Sequence, residues 1–123
     1  MNSTAKILLV EDDEMMLALS SKMLLDAGFD INSALKPGDA IKLLTGHKYD
    51  LVVLDISMPT LSGFDFVQLM ESFHIDSKIV FLTNMDDEET LRKVKKIKIN
   101  RLISKEKELH RLPEIIREVL ALA

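Results

Sequence analysis

Residues 6–13 read KILLVEDD: a short apolar run followed at once by three carboxylates, Glu11, Asp12 and Asp13. A run rich in Ile, Leu and Val, without polar alternation, predicts a strand covered on both faces rather than a half-exposed one. Three more runs share this character: DLVVL at 50–54, KIVFL at 78–82 and RLIS at 101–104. A fifth segment, FDINSA at 29–34, alternates and suits the edge of a sheet.

Helical periods fill the gaps between these runs. Met16, Leu19, Met23 and Ala27 recur at helical spacing and Gly28 follows as a stop, which predicts a helix over 14–27. Asp13 then reads either as its N-cap or as a further acid near a metal. Pro37 suits a first helical position, with Ala40, Ile41 and Leu44 facing inward and Gly46 ending the helix. Phe66, Val67, Met70 and Phe73 predict a third helix over 63–73. A fourth begins with Asp86, Asp87, Glu88 and Glu89 and ends in Arg92, Lys93, Lys95 and Lys96, a charge order that complements the helix dipole. The last helix is predicted from Pro113, burying Ile115, Ile116, Val119 and Leu120, with 106–112 as a connection or a frayed turn. Five strands alternating with five helices argue for an α/β, flavodoxin-like, doubly wound five-stranded parallel sheet, order 2-1-3-4-5, with helices on both faces.

The 123 residues fit one domain over 1–123. With 47% hydrophobic and 29% charged residues the chain can bury a core, which excludes disorder and a disulfide scaffold. The absence of cysteine excludes thiolate metal sites and cysteine nucleophiles. No stretch near the N-terminus is long enough for a signal segment or a membrane span, so no membrane association is expected. Twenty acids against sixteen bases give a net charge of -4, which argues against direct nucleic-acid binding. The basic stretch RKVKKIKINR at 92–101 reads as a solvated helix face, His47, His74 and His110 as surface residues, and the seven methionines mostly as core filler.

In an open α/β sheet of this order the ligand site lies beyond the carboxyl ends of the first and third strands. Those strands end in Glu11, Asp12, Asp13 and in Asp55, and no glycine-rich loop follows the first. Converging carboxylates repel a nucleotide or flavin phosphate, so dinucleotide, P-loop and flavin readings fail. Like charges so close instead call for a hard divalent cation, and oxygen ligands without His or Cys suit Mg²⁺. Asp55 beside such a cation could accept a phosphoryl group. Thr83 and Lys105, ending the fourth and fifth strands, would supply a hydroxyl donor and a cation at the same edge.

These pieces, VEDD at 10–13, LDISMPTLSG at 54–63, FLTN at 81–84 and ISKE at 103–106, together resemble the receiver domain of two-component response regulators, including those of the chemotaxis type, over essentially the whole chain. The resemblance implies that Asp12 is a direct Mg²⁺ ligand, that Glu11 acts largely through water, and that Ser57 lends its backbone carbonyl to the metal. It implies Asp55 as phosphoacceptor, with Thr83 and Lys105 gripping the phosphoryl oxygens, and matches Met58, Pro59 and Gly63 to the loop after the acceptor. A sensor histidine kinase or histidine phosphotransfer protein would be the donor. A downstream protein or output domain would read the face formed by the helix from Asp86, the strand at 101–104 and the helix from Pro113. Such a module catalyses only its own phosphorylation and dephosphorylation, is cytoplasmic, and is a monomer or weak dimer.

Three positions depart from the family's pattern. Glu106 replaces the proline that usually follows the lysine in a cis peptide, which predicts a trans bond and a shifted loop. Leu102 replaces an aromatic switch residue, and Asn84 stands where a small residue is usual, narrowing access to the site. These departures leave a phosphorylation-independent interaction module as the alternative. An aspartyl phosphatase of the haloacid-dehalogenase type fits poorly, since it needs an acid two residues after a strand-one nucleophile, whereas Asp55 follows the third strand and has Ser57 there.

Overall fold

The computed structural model describes residues 4–56, 61–84 and 88–122. Five strands, β1 (Lys6–Val10), β2 (Asp30–Ala34), β3 (Leu51–Asp55), β4 (Lys78–Thr83) and β5 (Arg101–Ser104), pair in parallel in the order β2-β1-β3-β4-β5. Around them lie α1 (Glu14–Asp26), α2 (Pro37–Gly46), α3 (Gly63–Ser72), α4 (Glu88–Lys95), α5 (Lys105–Glu108) and α6 (Leu112–Leu120), with a 3-10 turn at Leu109–Arg111. The doubly wound α/β sheet expected from the sequence is therefore the one observed.

The central strands are apolar throughout because their side chains alternate between two cores. Leu8, Val10, Val52, Leu54, Ile79 and Phe81 face α2 and α3, meeting Ala40, Leu44, Phe66 and Met70. Ile7, Leu9, Leu51, Val53, Val80 and Leu82 face the other way, against Leu17 and Leu24 of α1 and Ile115, Ile116 and Val119 of α6. Each of these larger side chains contributes about 1.5–3 kcal/mol through removal from water. Register places the strand ends level, with Asp55 opposite Leu82 and Thr83 opposite Ser104.

Several expectations need correction. RLIS is less covered than the central strands: β5 is an edge strand in which Ile103 is buried in the α1/α6 core while Leu102 is only half-buried against the α2/α3 core. In α1 the buried residues are Leu17, Ser20 and Leu24, while Leu19 is 50% exposed. Apolar residues surround this helix, so spacing alone does not set its phase, and the inward face lies one residue, about 100°, from the expected one. Of the four methionines among the described residues only Met70 is buried, and Met15 is 84% exposed.

The last helix, α6, starts at Leu112 with Pro113 in its first turn, as expected, and buries Ile115, Ile116 and Val119, with Leu120 half-buried; the segment expected as a connection instead holds the short helix α5 and the 3-10 turn. Ser104 caps α5 by accepting a hydrogen bond from the Lys107 N–H, and Leu109 and Leu112 pack into the α1/α6 core. Pro113 lacks the N–H that would bond to the Leu109 carbonyl, which instead accepts from Leu112 N–H, so the chain tightens to 3-10 before continuing. Lys78 at the start of β4 donates to the carbonyls of Val119 and Leu122 and so anchors the end of α6. Among the described residues no helix is long and apolar enough to cross a membrane.

Candidate functional site

Strand β1 delivers Glu11 and Asp12 to the carboxyl edge of the sheet, and the Glu11 N–H bonds to the carbonyl of Ala34 at the end of β2. The chain then turns into α1, and Asp13 resolves as its N-cap, accepting from the N–H groups of Met15 and Met16 at 2.9 and 3.1 Å. Glu11 points inward and is buried, whereas Asp12 is exposed at the rim. Asp55, the last residue of β3, is 4% exposed, and Thr83, the last residue of β4, is buried as well.

Gly63 keeps α3 close to this edge. A Cβ there would stand 3.0 Å from the Ile56 Cα and 3.4 Å from the Asp55 carbonyl oxygen, so the first turn of α3 can lie against the end of β3 only without a side chain. The Gly63 N–H donates to the Ile56 carbonyl at 2.9 Å, while Ser62 caps the helix by accepting from Asp65 N–H.

Lys105 reaches in from the start of α5. Its Nζ lies 2.6 Å from Glu11 Oε1 and 3.2 Å from Asp55 Oδ2, with the side chain only 7% exposed. Glu11, Asp12 and Asp55 each place a carboxylate oxygen within 4.8 Å of the others. One ammonium thus pairs with two of three clustered carboxylates, and negative charge is in excess. Burial, reinforced by the hydrogen bond to Asp55, pushes the Glu11 carboxyl up to about 7 despite Lys105. For Lys105, burial favours the neutral amine, but the hydrogen bond it donates to Glu11 and the charge of Asp55 outweigh it and hold the group above the ordinary lysine value.

Glu11, Asp12, Asp55 and Lys105 are therefore gathered at one place, and Thr83 closes the neighbouring strand of the same edge. Ser57, Met58 and Pro59 lie outside the described residues, as do Asp86 and Asp87. The peptide after Lys105 is trans. Leu102 is half-buried and packs on the α2/α3 core, and Asn84 is exposed. The turn that carries Lys105 is held by Ser104, which accepts from Lys107 N–H, and by Glu108, which accepts from Ser104 N–H and pairs with Arg101; the Ser-x-x-x-Glu spacing at 104–108, close to a capping box, is the sequence signal for it. A groove of about 800 Å3 lined by Leu44–Asp50 and Phe73–Ser77 lies at the opposite, amino edge of the sheet and contains none of these groups.

A family model described as the response regulator receiver domain matches residues 7–117. Similar curated proteins include the probable transcriptional regulator ycf29 of Porphyra purpurea, 32% identical over 79 residues, 63% of this chain and 38% of that protein. The alkaline phosphatase synthesis transcriptional regulatory protein PhoP of Bacillus subtilis is 32% identical over 83 residues, 68% of this chain and 35% of that one. The chain spans between 12% and 38% of the length of the curated relatives it matches. Among solved structures, chemotaxis protein CheY4 of Vibrio cholerae superposes with a TM-score of 0.85 at 25% identity, covering 95% of this chain and 99% of that one. A CheY-like receiver domain protein from Methanospirillum hungatei gives 0.86 at 22% identity, covering 96% and 94%.

Proposed function

Because the chain belongs to the response regulator receiver domain family of two-component systems, we propose that it is a phosphoacceptor whose Asp55 takes a phosphoryl group from the phosphohistidine of a sensor kinase or histidine phosphotransfer protein. The observation that carries this reading is the buried Asp55 carboxylate, 3.2 Å from the Lys105 ammonium and within one cluster with Glu11 and Asp12.

The donor set fits Mg²⁺. It offers carboxylate oxygens with no nitrogen or sulfur ligand, three of them gathered within 4.8 Å of one another. Asp12 and Asp55 would hold the ion directly, Glu11 through water, and Ser57 through its backbone carbonyl. Bound Mg²⁺ supplies charge neutralisation to the phosphoryl oxygens.

A carboxylate oxygen of Asp55 forms the new bond to phosphorus as the phosphohistidine N–P bond breaks, and the donor's imidazole, already protonated on its other ring nitrogen, leaves as neutral imidazole with the electron pair. Lys105, already against Asp55, offsets charge on the transferred group. Loss of the phosphoryl group to water regenerates Asp55. The acyl phosphate carries about two negative charges where the carboxylate carried one, and its new acceptor oxygens draw the Thr83 hydroxyl inward and bias the face made by α4, β5 and α6. A downstream protein or an output domain reads that face. The module works in the cytoplasm as a monomer or weak dimer and turns over nothing but its own acyl phosphate.

Beryllofluoride, a phosphoryl mimic on a carboxylate, tests the site with Mg²⁺ present. Amide shifts at Asp55, Thr83, Asn84 and Lys105 that vanish in Asp55→Asn are expected. Unchanged spectra in the wild-type protein would instead favour an interaction module that signals without phosphorylation.

A further inference from the structure

Lys105 belongs to the turn after β5, yet its ammonium meets Asp55, two strands away at the end of β3, and Glu11, three strands away beyond β1. Any angular error at its backbone is amplified along the full length of the side chain. The backbone is correspondingly well held. Ser104 Oγ accepts from Lys107 N–H at 3.3 Å, closing the first turn of α5 on one side of Lys105. Glu108 closes the other side: Oε1 accepts from the Ser104 N–H at 3.4 Å and Oε2 accepts from Arg101 Nη2 at 2.9 Å. One carboxylate therefore ties the beginning of β5, its last residue and the end of α5 together, with Lys105 between them. The Arg101–Glu108 pair is partly shielded, 36% and 28% exposed, so it is less screened than an ordinary surface ion pair.

We propose that Glu108 is a positioning residue for Lys105: by linking Arg101 to the Ser104 backbone it fixes the helical turn that carries the ammonium to Asp55 and Glu11. The proposal rests on the reading of Asp55 as phosphoacceptor. It adds a residue remote from the reacting atoms that sets the rate through Lys105 alone, since displacement of a charged group by about 1 Å can change a rate by orders of magnitude.

A double-mutant cycle isolates that dependence. Phosphorylation of Asp55 by acetyl phosphate with Mg²⁺ is measured in the wild type, Glu108→Ala, Lys105→Ala and the double variant. Glu108→Ala is expected to slow the wild-type reaction about tenfold and the Lys105→Ala reaction less than about twofold. Glu108→Gln, which keeps an acceptor for the Ser104 N–H, stays within about threefold of wild type. A second readout needs no chemistry: the ¹H–¹⁵N signal of the Lys105 ammonium, visible when burial and ion pairing slow its exchange, is expected in the metal-free wild type and lost in Glu108→Ala. Equal slowing in both backgrounds, or an ammonium signal unchanged by Glu108→Ala, would overturn the proposal. If the wild type accepts no phosphoryl group, the phosphoacceptor reading fails, and the ammonium signal alone decides the role of Glu108.

Discussion

Gly63 shows how closely single residues constrain this edge of the molecule. Alanine is normally the better helix residue by about 1 kcal/mol, yet a Cβ at Gly63 would press on the Ile56 Cα at 3.0 Å, backbone that cannot rotate away. Gly63→Ala is therefore expected to destabilise by about 1–3 kcal/mol, read as a lower urea midpoint, whereas a raised midpoint would mean that α3 does not lie so close to Asp55. The acids and the lysine were legible as residues because parallel strands gather their carboxyl ends at one edge, so Glu11, Asp12, Asp55 and Lys105 could be placed together from strand boundaries alone. Their pairing was not legible. Nothing in the spacing says that Lys105 lies nearer to Glu11, at 2.6 Å, than to Asp55, at 3.2 Å, since that depends on side-chain directions set by three different strands.

Elements marked by a proline in the first turn or by strongly one-sided charge were read well, whereas apolar spacing alone did not suffice for α1. Pro37 opens α2 and the acid-to-base order of α4 stands in its described part, Glu88–Lys95. The phase of α1 escaped because its apolar residues surround the helix, and the one-turn helix α5 escaped because KEKE offers no apolar periodicity, whereas Pro113 did mark the first turn of α6. Among the described helices of eight or more residues, α4 differs: none of its residues is buried, whereas α1, α2, α3 and α6 each bury at least two. Helices owe most of their stability to a buried apolar face. Hydrogen exchange is therefore expected to be faster for the interior amides of α4 than for those of α1, α3 or α6. Protection in α4 equal to that in α6 would contradict the weak docking seen here, and with it the idea that this face responds readily to events at Asp55.

At the scale of the molecule, the doubly wound topology accounts for why chemistry and output can be neighbours. Strands β1 and β3 meet at the sheet centre and present the carboxylates, while β4 and β5 carry Thr83 and Lys105 from the same edge towards α4 and α6. The fold was legible because four apolar runs and one alternating segment are interleaved with five helical periods and few connections satisfy that order. The edge position of β5 follows from the expected order 2-1-3-4-5, although the apolar composition of RLIS by itself suggests a more covered strand. The central claim is that Asp55 accepts a phosphoryl group in a metal-dependent reaction. Intact mass after incubation with acetyl phosphate tests it most directly, with and without Mg²⁺ and with Asp55→Asn alongside. One phosphoryl adduct that requires Mg²⁺ and is absent from Asp55→Asn is the predicted result; an unmodified wild-type protein, or an adduct that persists in Asp55→Asn, would contradict it.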